Sequence, residues 1–130
     1  MLEVIAIIVF AVIFAFIGLQ YFAVSRAKRL RGQTVEPAIF KKLRLKKQRP
    51  ALLYFTSPTC SMCRIQEQEI QGWKPRNAQW VVVNVAQHLD VARYFKIMGT
   101  PSFVLIDEQA RVQEVLVGKQ PLSRLKHLAP

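Results

Sequence analysis

ALLYFTSPTCSMC, residues 51–63, is the stretch that decides the fold of this 130-residue chain. Its first six residues form a compact apolar run, which is typical of a strand buried on both faces. Residues 57–59 favour a turn because they place a proline between two hydroxyl residues. The pattern from Cys60 to Ile70 then predicts a helix. Two cysteines, Cys60 and Cys63, are therefore expected where a strand passes into a helix.

The rest of the domain alternates between predicted helices and strands. A helix between the first two strands implies that they are parallel, and a closing hairpin adds an antiparallel edge. The sequence therefore predicts an α/β fold with a central mixed β-sheet flanked by helices. The expected elements are a helix from Pro37, strands at 51–56 and 80–85, helices at 60–70 and 91–95, hairpin strands at 102–107 and 111–117, and a last helix at 121–128.

A long apolar stretch precedes this domain. Between Val4 and Val24 the residues that are not apolar are Gly18 and Gln20, and none is charged. Twenty-one helical residues extend about 31 Å, enough to cross a hydrocarbon core of about 30 Å. We predict one N-terminal transmembrane helix within residues 1–25. The alternative is a signal peptide cleaved near residues 23–25, although signal peptides begin with basic residues and have apolar runs of only about 7–15 residues.

The net charge of +11 is concentrated after this helix. Residues 26–49 carry ten Lys or Arg and one acid, whereas the chain from Pro50 onward carries nine basic and six acidic residues. We predict a basic juxtamembrane linker at 26–36, followed by a domain at 37–130 with its core at 50–130. Anionic lipid headgroups, at about 1 kcal/mol per basic residue near the surface, account for the excess. No motif indicates nucleic-acid binding.

Two details of the basic region have two interpretations each. Residues 32–36 lack periodicity and are either linker or a short first strand. In the helix from Pro37, the apolar residues Ile39, Phe40 and Leu43 share a face, which either packs on the domain or lies on the membrane surface.

The basic residues also predict an orientation. Glu3 is the only charged side chain before the apolar stretch, and four basic residues follow it closely: Arg26, Lys28, Arg29 and Arg31. By the positive-inside rule, the C-terminal domain is expected in the cytoplasm. The alternative is an extracytoplasmic domain.

The cysteine pair favours redox chemistry. A zinc site would need about four ligands, and neither His88 nor His127 has ligand-like spacing, so we expect no metal. Two inert buried thiols are the other alternative. The first cysteine of a CxxC at a helix N-terminus meets unpaired N–H groups and the positive end of the helix dipole, which favour a thiolate. Cys60 is therefore the expected nucleophile, and Cys63, one turn on, the resolving thiol.

Over roughly residues 34–130 the chain resembles the thioredoxin family. The resemblance rests on LLYFTSPTCSMC at 52–63, RYFKIMGTPSF at 93–103, and VGK at 117–119 before the last helix. It implies a protein-disulfide oxidoreductase that needs no cofactor, that acts on protein thiols and disulfides, and that is served by a separate electron donor or acceptor. It also implies that the Thr100–Pro101 bond is cis, that Pro101 packs against the CxxC, and that both residues bind substrate. Without the resemblance, Pro101 would indicate a turn or the start of an edge strand.

The sequence departs from thioredoxin around the cysteines. Thr59 stands where the family has tryptophan, and Ser61-Met62 replaces Gly-Pro. Six residues before the first cysteine the family has a buried acid, and here that position is Tyr54, whose ordinary pKa of about 10 prevents it from accepting a proton near pH 7. The acids nearest in sequence, Glu67 and Glu69, follow the motif on the helix, so we expect no fast proton-relayed reduction.

Two functional hypotheses follow. The leading one is a membrane-tethered thiol–disulfide oxidoreductase with membrane-proximal protein partners, acting as a reductant if it faces the cytoplasm. In this hypothesis Met62 offers substrates an apolar contact, or else simply packs on its helix. The alternative is a non-catalytic binding module or assembly factor that holds a partner's thiol or a metal.

Overall fold

The computed structural model describes the backbone of all 130 residues and the side chains of residues 1–22, 25 and 29–130. The elements in chain order are α1 (Leu2–Lys28), α2 (Pro37–Lys42), β1 (Ala51–Thr56), α3 (Ser61–Ile70), β2 (Gln79–Asn84), α4 (Leu89–Tyr94), β3 (Ser102–Ile106), β4 (Val112–Val117) and α5 (Leu122–Leu128). The side chains at 23–24 and 26–28, on which the cleavage alternative and part of the basic cluster depend, lie outside the described set.

The strands form one mixed sheet in the order β2-β1-β3-β4. β1 pairs parallel to β2 and antiparallel to β3, and β3 pairs antiparallel to β4. The predicted fold class is thus confirmed, including the crossover and the hairpin. β1 has the predicted bounds, and other elements differ from the predicted ones by one or two residues; α4, for example, begins at Leu89 rather than Val91. Differences of this size are normal at element ends, where hydrogen bonding is incomplete.

β1 is the central strand, and it is buried on both faces as predicted. Because side chains alternate along a strand, Leu53 and Phe55 join one core cluster while Leu52 and Tyr54 join the other. The first cluster includes α2 and α4 and the second includes α3 and α5. The core thus fixes β1 from both sides, and with it the position of the cysteines that follow.

The helix from Pro37 packs on the domain. Ile39 and Phe40 are buried in the first core cluster, and Leu43 packs against it. The interpretation as a domain helix is confirmed. Its apolar residues therefore do not form a free membrane-binding face.

The segment before α2 is also part of the packed structure. Val35 is 3% exposed and Leu30 4% exposed, and both belong to the first core cluster. Thr34 forms an antiparallel bridge with Arg111, and the Gly32 N–H donates to the Val112 carbonyl at 2.7 Å. Part of the predicted linker thus acts as a minimal first strand against the start of β4.

α1 contains a stretch, Leu2–Phe22, that is long and apolar enough to cross a membrane, and none of it is buried within the protein. The chain enters the domain at the end of the sheet formed by Ala51, Ile106 and Val112, which we call the α1 end. The opposite end is formed by Thr56, Ser102 and Val117. We call it the cysteine end, because β1 leads from it into Cys60.

Candidate active site

The two cysteines lie where β1 passes into α3. Cys60 is the N-cap of α3, with extended backbone (φ −89°, ψ 107°), and Cys63 lies within the first turn. The pair forms a disulfide with its Cα atoms 5.2 Å apart. The Cys63 N–H donates to Cys60 Sγ at 3.1 Å. After reduction, this N–H and the helix dipole favour a thiolate on Cys60.

The two sulfur-bearing residues differ in exposure. Cys63 is 1% exposed, whereas Cys60 is partly exposed. An incoming disulfide can therefore reach Cys60 but not Cys63. This asymmetry fits an attacking thiol at Cys60 and a resolving thiol at Cys63.

The loop before β3 lies against Cys60. The Thr100–Pro101 peptide bond is cis, as the resemblance implied. The Thr100 carbonyl oxygen lies 3.4 Å from Cys60 Sγ. The Gly118 N–H donates to the Pro101 carbonyl at 2.8 Å, so the residues after β4 hold this loop in place. Three segments that are distant in sequence, 60–63, 100–101 and 117–119, thus meet at the cysteine end.

Exposed apolar side chains occur on α3 and on the segment that leads to Thr100. Met62 is 48% exposed and Ile65, on the same helix, 47%. Met98, two residues before Thr100, is 76% exposed. Met62 is about half covered, so both interpretations of this residue, a substrate contact and packing on its helix, stay predictions.

Tyr54 lies beneath the cysteine pair and is 2% exposed. Its hydroxyl donates to the Cys63 carbonyl at 3.4 Å or to Glu67 Oε1 at 3.3 Å. Burial raises the pKa of Tyr54 to about 12, and the Glu67 carboxylate raises it further against a lowering hydrogen bond with Thr56. Tyr54 is therefore a neutral hydrogen-bond donor at physiological pH and cannot accept a proton from Cys63.

Sequence reasoning gave no role to one acid in this region. Glu67 lines a pocket of about 240 Å³ that is also lined by Cys60, Cys63, Thr56 and Asn84. In the sequence Glu67 is only an acid that follows the motif on the helix, and the structure adds that it borders the disulfide pocket. The signal that could have found Glu67 is its spacing of four residues from Cys63, which places both on one helix face.

No metal-binding group of three or more His, Cys, Asp or Glu side chains occurs among the described side chains. The two histidines considered as ligands, His88 and His127, lie on α4's N-cap and on α5, away from the cysteine pair in sequence.

A mixed sheet flanked by helices, with a disulfide at the β1–α3 junction beside a cis-proline loop, defines a thioredoxin-type redox fold. The sequence profile of the Thioredoxin family matches residues 32–129, about three-quarters of the chain. The chain belongs to the thioredoxin family. A search of curated proteins finds none that matches.

Solved structures agree in fold. Mitochondrial thioredoxin 3 from Saccharomyces cerevisiae, in its oxidised form, superposes with a TM-score of 0.57 at 20% identity, covering 69% of this chain and 87% of that one. A mutant thioredoxin from Halobacterium salinarum superposes with a TM-score of 0.60 at 20% identity, covering 74% of this chain and 84% of that one. StoA from Bacillus subtilis superposes with a TM-score of 0.55 at 12% identity, covering 64% of this chain and 84% of that one. At these identities the likeness shows the fold alone.

Proposed function

We propose that this protein is a membrane-tethered thiol–disulfide oxidoreductase that exchanges disulfides with proteins through Cys60 and Cys63. The observation that carries the proposal is the asymmetric pair: a partly exposed Cys60 at the helix N-cap, bonded to a buried Cys63. An inert pair of core thiols would bury both sulfurs and would not border an open pocket.

The exchange has two steps. In the reducing direction, the Cys60 thiolate attacks a substrate disulfide, forms a mixed disulfide and releases one substrate thiolate. Cys63 then loses its proton and attacks Cys60 Sγ. The Cys60–Cys63 bond forms, the bond to the substrate breaks, and the second substrate thiolate leaves. Two electrons pass to the substrate, and a separate dithiol donor must restore the reduced pair.

Substrate binding is assigned to the surface around Cys60. Thr100 lies against Cys60 through its carbonyl oxygen, so a substrate strand beside Thr100 and Pro101 would place its sulfur within reach of the nucleophile. Met62 adds an exposed, flexible apolar contact on the other side. Thr100, Pro101 and Met62 are thus the proposed substrate-binding residues, although Pro101 is itself buried.

The tether sets where the chemistry occurs. α1 joins one end of the sheet and the cysteines lie at the other, so five residue steps of β1 hold them apart by about 17 Å. The proposed partners are therefore proteins whose cysteines stand clear of the lipid surface but near it. By the positive-inside rule the domain lies in the cytoplasm, where a reductant role fits.

Insulin reduction tests the proposed activity. The full chain in detergent micelles, supplied with dithiothreitol, should precipitate insulin B chain faster than dithiothreitol alone. Cys60→Ser should remove the acceleration. A binding module that only holds a partner's thiol would bind insulin without turnover, so a rate equal to that of dithiothreitol alone would favour that alternative function.

A further inference from the structure

The second step of the exchange needs a proton acceptor. A thiol attacks a disulfide as its thiolate, and Cys63, at 1% exposure, has little contact with bulk solvent. Tyr54 contacts the Cys63 backbone, but its hydroxyl holds its own proton at physiological pH. Some other group must therefore take the proton from Cys63.

Glu67 is placed to do so. It lies one helical turn after Cys63, on the same face of α3. Both line the 240 Å³ pocket beside the disulfide. The Tyr54 hydroxyl lies within hydrogen-bond distance of both the Cys63 backbone carbonyl and Glu67 Oε1, so the Glu67 carboxylate lies beside the first turn of α3. The pocket also has room for solvent between Cys63 and Glu67.

The Glu67 carboxylate is held toward the sheet. Oε1 lies 3.3 Å from the Thr56 hydroxyl and 3.3 Å from the Tyr54 hydroxyl, both on β1. These two donors draw the carboxylate across from α3 to the mouth of the pocket. The neighbouring acid Glu69 is directed elsewhere, with Oε2 2.5 Å from Lys119 Nζ.

The other groups of the pocket cannot take this role. Its remaining polar side chains include Thr56, Ser57 and Asn84, which are not bases, and the cation Arg64. Arg64 stabilises negative charge near the cysteines but accepts no proton. Glu67 is the one carboxylate among the residues lining this pocket, all of which have described side chains.

We propose that Glu67 accepts the proton of the Cys63 thiol when Cys63 resolves the mixed disulfide. This inference rests on the proposed exchange at Cys60 and Cys63. The Cys63 S–H bond breaks and its proton passes to a Glu67 oxygen, directly or through solvent in the pocket. The thiolate then attacks Cys60 Sγ, and the substrate leaves as a thiolate that takes a proton from solvent or from Glu67. In the reverse direction, protonated Glu67 returns its proton to Cys63 as it leaves.

Rapid-quench mass spectrometry with glutathione disulfide tests the proposal. Reduced full-length protein in detergent is mixed with the probe, quenched in acid, and the mixed disulfide at Cys60 is followed in time. Glu67→Gln keeps an oxygen for the Thr56 and Tyr54 hydroxyls but is not a base. It should slow decay of the mixed disulfide about 10- to 100-fold at pH 7, at the low end of general-base effects because the pocket is open. Formation of the mixed disulfide should be unchanged.

The pH dependence of the decay rate distinguishes loss of proton transfer from a structural defect in the Glu67→Gln variant. At alkaline pH hydroxide can take the Cys63 proton in place of the carboxylate, so the defect of Glu67→Gln should shrink as pH rises. Glu69→Gln is the matched control on the same helix and should decay at the wild-type rate. Glu67→Asp, which keeps a carboxylate, should recover part of the rate, and it serves if Glu67→Gln does not fold.

The outcomes distinguish the two proposals. Wild-type decay in both Glu67 variants, or a defect of equal size at every pH, would overturn the role of Glu67 and leave the exchange intact. If the wild-type protein never forms a mixed disulfide at Cys60, the proposed function itself fails.

Discussion

The two ends of the sheet are built differently. At the α1 end, segments from before and within the domain close a continuous apolar core in which Leu30, Val35 and Phe40 are all at most 8% exposed. At the cysteine end, a polar pocket lies beside the disulfide, and the side chains of Met62 and Met98 are exposed. One end holds the domain to the helix, and the other leaves a reactive bond accessible. Burial at the α1 end supplies stability, and the pocket at the cysteine end gives access to the disulfide.

The largest expected effect concerns which side of the membrane carries the cysteine end. Moving charge against the membrane potential costs about 2.3 kcal/mol per charge per 100 mV, so the basic residues that follow the apolar stretch should stay on the negative, cytoplasmic side. Protease added outside intact spheroplasts should leave the domain whole and should digest it after permeabilisation. Digestion in intact spheroplasts would place the domain outside and would contradict the reductant role.

A core substitution at the α1 end should lower stability without touching the chemistry. Phe40→Ala removes a side chain 8% exposed in the first core cluster and should lower the free energy of unfolding by about 3 kcal/mol. Thermal melting in detergent measures this. The rate of insulin reduction well below the melting temperature should be unchanged, since Phe40 lies at the α1 end of the sheet and Cys60 at the opposite end.

The matched control is Phe14→Ala. Phe14 lies in α1, is 77% exposed and contributes nothing to the domain core, so the melting temperature should not move. Equal melting temperatures for Phe40→Ala and Phe14→Ala would mean that α2 is not part of the folded unit.

Beneath the cysteine end, Tyr54 should give the fold an alkaline limit. The pKa of Tyr54 is raised from 10.0 to about 12 in the folded chain. The unfolded chain therefore releases this proton first, and the stabilisation from Tyr54 is complete below about pH 10 and lost as pH rises through 12. Urea unfolding at pH 9 and pH 11 should show a steeper loss for wild type than for Tyr54→Phe.

At neutral pH, Tyr54→Phe should cost only about 1 kcal/mol, the net value of a hydrogen bond. Parallel stability curves for the two proteins between pH 9 and pH 11 would show that burial does not hold the Tyr54 proton.

The smallest effect belongs to the exposed rim of the cysteine end. Met62→Ala removes an apolar contact and should raise KM for insulin about threefold, because one partly buried methionine contributes about 1 kcal/mol or less to a transient contact. The rate of Cys60 alkylation by iodoacetamide should not change. Gln68→Ala, at an exposed position farther along α3, should leave KM alone; an equal rise in both variants would remove Met62 from the binding surface.

Some features of the two ends of the sheet can be predicted from the sequence, and others cannot. β1, the cysteine junction and Pro101 are predicted because each depends on a local pattern: an apolar run, a spacing of three, and a proline just before a strand. The burial of Val35 and the contacts of the Glu67 carboxylate are not, because both depend on tertiary pairing. Val35 is buried through pairing of its segment with residues 110–112, which lie 75 or more positions away. The spacing of Glu67 from Cys63 gives its helix face, but the contacts of its carboxylate with Thr56 and Tyr54 on β1 have no local sequence signal.

Trapping the exchange intermediate tests the central claim most directly. Cys63→Ser and Cys60→Ser variants of the full chain are expressed in membranes, acid-quenched, alkylated and analysed by mass spectrometry for cross-linked partners. Cys63→Ser should accumulate mixed disulfides through Cys60, because the resolving thiol is gone, and Cys60→Ser should accumulate almost none, because Cys63 is buried. Equal trapping by both variants, or trapping through Cys63 alone, would contradict the assignment of Cys60 as the nucleophile and Cys63 as the resolving thiol.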